Sequence, residues 1–102
     1  MKAVIDGKRY DTETATRIAH DAYGYPRDFS HWEEGLYKTS KGSWFTAGSG
    51  GAMTRYAVDL GNNSRGGGSE IFALTEEEAL AWCEQHDVDA DTIAAHFKIE
   101  DA

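Results

Sequence analysis

The feature that most constrains the fold of this chain is a change of period at Leu74. Before it, short runs of alternating or β-branched residues are separated by glycine-containing turns; after it, apolar residues recur at helical spacing. The change falls on Thr75-Glu76-Glu77-Glu78, a capping box in which a threonine hydroxyl can accept from the Glu78 amide while the Glu78 side chain reaches back. A helix therefore begins at this point, with Ala79, Trp82 and Cys83 on one face and Leu80 beside it. Asp89 caps a second short helix whose Ala90, Ile93, Ala94 and Phe97 share a face. Strands followed by helices predict an α+β fold: an antiparallel β-meander sheet packed by one or two C-terminal helices. With 102 residues the chain predicts one domain, residues 1–102.

The strands are read from the same patterns. Ala3-Val4-Ile5 and Lys8-Arg9-Tyr10 around Asp6-Gly7 predict an opening hairpin. Residues 12–23 carry both signals, because Ala15, Ile18, Ala19 and Ala22 have helical spacing while Thr12, Thr14 and Thr16 favour a strand; strand is the preferred reading. An aromatic-rich loop around Pro26 spans Gly24 to Glu34. The clearest hairpin joins Leu36-Tyr37-Lys38-Thr39 to Trp44-Phe45-Thr46-Ala47. Residues 55–60 predict a third meander strand and residues 70–74 a fourth, with Gly48-Ser49-Gly50-Gly51 and the stretch from Gly61 to Ser69 as connections.

Charge divides the chain unevenly. The net charge is −8, yet residues 1–69 carry nine basic groups against eight acidic, while residues 70–102 carry ten acidic groups against Lys98 alone. Such a block repels nucleic-acid phosphates and attracts a basic protein surface. Direct binding of duplex DNA is therefore not expected, since it needs a basic stripe to displace counterions. The plainer reading of the same acids is a solvated face plus residues that favour helix starts.

Several chemistries are tested and set aside on spacing. Asp87, Asp89 and Asp91 imitate the start of a calcium loop, but Thr92 stands where the tight turn needs glycine and Lys98 where a bidentate glutamate belongs, so helix capping is preferred. Cys83 and His86 lie one helical turn apart without the second pair a structural zinc site requires. No metal and no cofactor are expected. The glycine stretches do not lead into a lysine-serine pair at a helix start, and are read as turns and a pliable loop. His20, His31, His86 and His96 accompany no recognised nucleophile motif; His31 beside Glu33 and Glu34 reads as a solvated loop residue, and a non-enzymatic protein is expected. The lone Cys83, the absence of a long apolar run and the polar start predict a soluble, cytoplasmic chain without a membrane segment.

The aromatics offer the other candidate surface. Tyr23, Tyr25, Phe29 and Trp32, with Trp44 on the hairpin, suit either an interface or a core, because tyrosine and tryptophan dominate binding hot spots and also fill cores. Phe29, Trp32 and Phe45 are assigned to the core. Tyr23, Tyr25 and Arg27 around Pro26 are retained as candidate contacts.

The segments Tyr10 to Ala15, Asp28-Phe29, Glu33-Glu34, Leu36 to Thr39, Lys41-Gly42, Trp44-Phe45, Gly48 to Gly51 and Leu74 to Ala79 together resemble small bacterial proteins carried by phages and mobile elements. Proteins of that sort include anti-CRISPR and other anti-defence inhibitors, which bind a host effector complex and block its nucleic-acid groove or its assembly. The resemblance implies an inhibitor acting by occupancy. Glu76, Glu77, Glu84, Asp87, Asp89 and Asp91 would meet basic residues of the host complex, with Tyr23, Tyr25 and Arg27 as further contacts. The alternatives are a nucleotide- or small-ligand-binding module using the glycine loops and the 23–32 aromatics, and an accessory protein that self-associates through a strand edge.

Overall fold

The computed structural model describes residues 1–102 and contains eight strands and two helices: β1 (Lys2–Ile5), β2 (Lys8–Asp11), β3 (Thr16–Tyr23), β4 (Trp32–Lys38), β5 (Trp44–Gly50), β6 (Val58–Gly61), β7 (Ser64–Gly66), β8 (Gly68–Leu74), α1 (Glu76–Gln85) and α2 (Ala90–His96). The fold is α+β, built on an antiparallel four-stranded sheet in the order β3-β4-β5-β8. β1 and β2 form the opening hairpin, with Asp6 and Gly7 both at positive φ, as a two-residue turn of matching twist requires. No helix is long and apolar enough to cross a membrane.

Alternation along the central strands gives the sheet two buried faces. On one, Leu36 and Trp44 pack with Ala79, Trp82 and Cys83 of α1 and with Phe97. On the other, Phe45, Ala47 and Ile71 pack with Tyr10 of the opening hairpin, whose ring meets Phe45 edge-on at 5.4 Å. The sheet is thus the middle of three layers. The expected capping box is formed: Glu78 N–H donates to Thr75 Oγ1 at 3.1 Å and Thr75 N–H to Glu78 Oε1 at 2.9 Å.

Five expectations are corrected. Residues 12–23 supply a sheet strand, as preferred, but residues 55–60 do not: Val58–Gly61 pairs only with Ser64–Gly66 as a separate ribbon, and β8 pairs directly with β5. Gly48 to Gly50 are part of β5, so the hairpin is longer than its apolar residues indicate. β4 starts at Trp32, inside the stretch read as loop. Phe29, assigned to the core, is 71% exposed on the surface, whereas Trp44, left open between interface and core, is only 3% exposed and stacks on Phe97 at 4.6 Å. In α2, Ile93 and Phe97 pack on the core but Ala90 and Ala94 face solvent, because the seven-residue helix touches the sheet only near its end.

Candidate functional site: an aromatic cleft floored by Glu34

On the helix-covered face, one cross-strand row aligns Asp21 (β3), Glu34 (β4), Gly48 (β5) and Glu70 (β8). The next row aligns Tyr23, Trp32 and Gly50. Glu34 from the first row, with Tyr23 and Trp32 from the second, lines a cleft beside the last turn of α1.

Glu34 is the centre of it, only 5% exposed. Burying a carboxylate is costly unless donors replace water. Two do so: the Trp82 indole Nε1–H donates to Oε1 at 2.6 Å, and the Tyr56 hydroxyl donates to Oε2. Arg55 adds a positive charge with Nη1 3.9 Å from Oε2, and its guanidinium lies over the Phe72 ring at 4.0 Å. Burial, reinforced by the hydrogen bond to Glu34, pushes the Tyr56 phenol well above its ordinary pKa, so it remains a donor.

Glycine makes the Tyr56 bond possible. A Cβ on Gly48 would collide with Tyr56 Oη and the Glu33 carbonyl, and would stand 2.7 Å from Glu34 Cβ. The neighbouring Gly51 admits the backbone of Phe29 in the same way. The glycine stretch read as a connection is a strand whose bare face receives the segment carrying Tyr56.

His86, the C-cap of α1, closes the row. Its Nδ1 lies 2.7 Å from Asp21 Oδ2, its Nε2 3.7 Å from Glu34 Oε1, and its ring stacks on Trp82 at 4.1 Å and meets Trp32 edge-on at 5.6 Å. The bond to His86 holds Asp21 below the usual carboxylate range. Through this pair the helix is fastened to β3. Cys83, behind Trp82, is buried and its thiol pKa is raised by that burial.

The resulting cleft has a volume of about 450 Å³, within the range of roughly 300–1,000 Å³ usual for small-ligand sites. Its rim continues onto two loops bonded to one another: Met53 N–H donates to the Phe29 carbonyl at 2.8 Å and Gly51 N–H to the His31 carbonyl at 2.8 Å. His31 Nδ1 contacts the Tyr23 carbonyl at 2.9 Å. Exposed Tyr23, Tyr25, Phe29 and Met53 therefore occupy a braced surface.

Of the residues singled out from the sequence, Tyr23 lines the cleft, and Tyr25 and Arg27 are exposed on the adjoining loop. Glu84 and Asp87 are exposed and flank Gln85 and His86, which line the cleft. Glu76 and Glu77 are exposed in the first turn of α1, at the helix end opposite His86. Asp87, at φ 55°, ends α1 in a left-handed position from which Val88 N–H reaches the Cys83 carbonyl at 3.0 Å. Asp89 accepts from Thr92 N–H at 3.2 Å and from its hydroxyl at 2.6 Å, capping α2; these bonds lower its pKa, and Asp91 stays exposed in that first turn. No group of three or more histidine, cysteine, aspartate or glutamate side chains is disposed to hold a metal ion.

Sequence reasoning missed Glu34, Tyr56 and His86 as partners. The available signal was the alternation of β4, which places Glu34 on the same face as Leu36 and so beneath the helix. No protein-family model, curated protein or solved structure matches this chain.

Proposed function

We propose that this chain is a binding protein that acts by occupancy, an inhibitor of the anti-CRISPR or wider anti-defence type carried by a phage or other mobile element. Its partner on this reading is a basic, nucleic-acid-holding surface of a host defence complex in the cytoplasm. The observation that carries the reading is the meeting, at one cleft, of an exposed apolar rim with an acidic helix end. Tyr23, Tyr25, Phe29 and Met53 supply large, braced contact surface, the kind of residue that anchors interfaces. Exposed Glu84 and Asp87 flank, in sequence, the cleft residues Gln85 and His86, and the block of residues 70–102 supplies the long-range negative field that speeds encounter with a basic partner. Glu76, Glu77 and Asp91 extend that field, and Arg27 sits on the aromatic loop.

The test is recovery of tagged protein from lysates of cells carrying nucleic-acid-targeting defence complexes, at low and high salt. Recovery of one such complex, weakened by salt and by glutamine at Glu76, Glu77 and Glu78, is the expected result. Glutamine keeps the cap competent at Glu78, so the variant isolates charge. Failure to recover a complex, or recovery indifferent to salt and to these substitutions, overturns the reading. A second reading, a small-ligand module, is favoured by the volume of the cleft, and a ligand-induced rise in Tm tests it.

A further inference from the structure

A second cavity, of about 560 Å³, lies on the side of the sheet away from α1, between β2 and the turn of residues 39–43 that joins β4 to β5. Its charge is opposite to that of the chain as a whole. Lys8, Arg9 and Lys41 line it against a single carboxylate, Asp11, in a chain of net charge −8. The ion pairs of the chain involve only Arg55 and His86 as cations, so these three have no carboxylate partner. Asp11 is engaged in the turn that follows β2, where its Oδ1 accepts from Glu13 N–H at 3.0 Å. Most acids of residues 70–102 belong to α1, α2 and the link between them, which pack on the other face, and salt screens charges more than about 8 Å apart at physiological ionic strength.

The same walls hold neutral donors. Thr14, Thr39, Ser40 and Ser43 bring hydroxyls to the cavity, and Tyr10 is its one lining residue with an apolar body. Tyr10 is only 7% exposed, yet its hydroxyl bonds to nothing in the chain and is not sealed from solvent; a buried tyrosine ordinarily has a partner for that group. The turn is held in shape beforehand. Gly42 N–H donates to the Thr39 carbonyl at 2.9 Å, Thr39 N–H to the Ser43 carbonyl at 2.8 Å and Ser43 N–H to Thr39 Oγ1 at 3.0 Å. Within it the N–H groups of Ser40 and Lys41 are unbonded.

Unpaired cations among hydroxyl and amide donors are the groups that hold a phosphate, which offers several acceptor oxygens and a charge of about −1.5 to −2. A bare phosphate ion fills only part of a cavity of this volume, which is in the usual range for small ligands. The rest of the lining, Asp11 and the hydroxyls, suits ligand hydroxyls in place of apolar groups. The Tyr10 ring is buried edge-on to Phe45 and leaves no open aromatic face for a base to stack on. We propose that this cavity binds a sugar phosphate, with Lys8, Arg9 and Lys41 on the phosphate and the Tyr10 hydroxyl among the donors. The site is on the face opposite the aromatic cleft, so it stands or falls apart from the occupancy reading.

The experiment titrates the full chain, at fixed ionic strength, with ribose 5-phosphate, inorganic phosphate, ribose and adenosine monophosphate, following the amide resonances of residues 39–43. Saturable shifts with ribose 5-phosphate are expected, weakened about fivefold or more by Lys8→Ala and by Lys41→Ala through loss of a charge-assisted contact. Both lysines are exposed, so neither change threatens the fold. Tyr10→Phe, which keeps the ring, should weaken binding as well, and Lys98→Ala, beyond α2, should leave it unchanged. No saturable shift, an equal response to ribose, or an affinity indifferent to both lysine variants overturns the site. Inorganic phosphate or adenosine monophosphate binding as tightly as ribose 5-phosphate overturns the sugar-phosphate assignment. None of these results bears on recovery of a host complex, whose failure in turn leaves the titration intact.

Discussion

Trp82 and Glu34, 48 positions apart in the chain, are joined by an indole N–H to carboxylate hydrogen bond of 2.6 Å that ties the buried face of α1 to the middle of the sheet. The Tyr56 hydroxyl shares the same carboxylate, so one buried charge links β4, α1 and the segment before β6. Trp82→Phe and Tyr56→Phe each remove one donor while keeping most of the ring. Each is expected to cost about 1.5–3 kcal/mol, the range for hydrogen bonds to a charged group. Because both donors polarise one acceptor, the double variant should depart from the sum by more than about 0.5 kcal/mol in denaturant titrations. Strict additivity would show that Glu34 is not the shared hub.

Gly48→Ala tests the same hub from the opposite side. The added methyl meets Tyr56 Oη and the Glu33 carbonyl, and the backbone of β4 cannot yield as a flexible side chain would. Overpacking of this kind costs about 1–3 kcal/mol, a fall in Tm of about 5 °C or more for a domain of this size. The Tyr56 phenol should also titrate closer to its ordinary range, since both causes of its elevation are relieved. A variant with unchanged Tm and an unchanged tyrosinate titration would contradict the close approach.

The acid limb of stability should contain a contribution from Asp21. Its pKa is lowered in the folded chain, chiefly by the His86 hydrogen bond. A depressed carboxylate stabilises the fold above its unfolded pKa of about 3.9, and that stability is lost as pH falls through the folded value. Asp21→Asn should therefore be less stable than the native chain at neutral pH, and the gap should close below about pH 4. Denaturant midpoints across that range measure it, and parallel curves would remove the pair from the account. The Asp21 side chain is 39% exposed, so solvent keeps the effect small.

Local signals were legible in the sequence wherever they are complete within a few residues. The Thr75–Glu78 capping box, the Asp6-Gly7 turn and the Asp89 cap each need only near neighbours, and each is present. The α+β class followed from the switch of period at Leu74. The alternation of β4 pointed to the buried face for Glu34, but its partners were illegible, because Trp82 and Tyr56 come from 48 and 22 positions away and only the tertiary fold brings them to it. Phe29 was misplaced and Trp44 left open for a related reason: both are apolar aromatics, and only the β4–β5 register and the path of the 24–31 loop decide which one meets Phe97. Residues 55–60 had the alternation of a sheet strand, but β8 takes the β5 edge and leaves them to the β6–β7 ribbon.

Asp87 separates architecture from charge within the acidic segment. It ends α1 at φ 55°, in the left-handed region where glycine is favoured and a residue with a Cβ costs about 1–2 kcal/mol. Asp87→Gly is expected to preserve the turn that carries Val88 N–H to the Cys83 carbonyl, and to stabilise the chain by up to about 1 kcal/mol. Asp87→Asn tolerates the same conformation and removes only the charge. If Asp87 contributes to a basic partner, both variants should lower affinity and flatten its salt dependence, although one is more stable than the native chain and the other close to it. Loss of binding in neither, with the gain in denaturant midpoint present in Asp87→Gly, would assign Asp87 to the helix end alone.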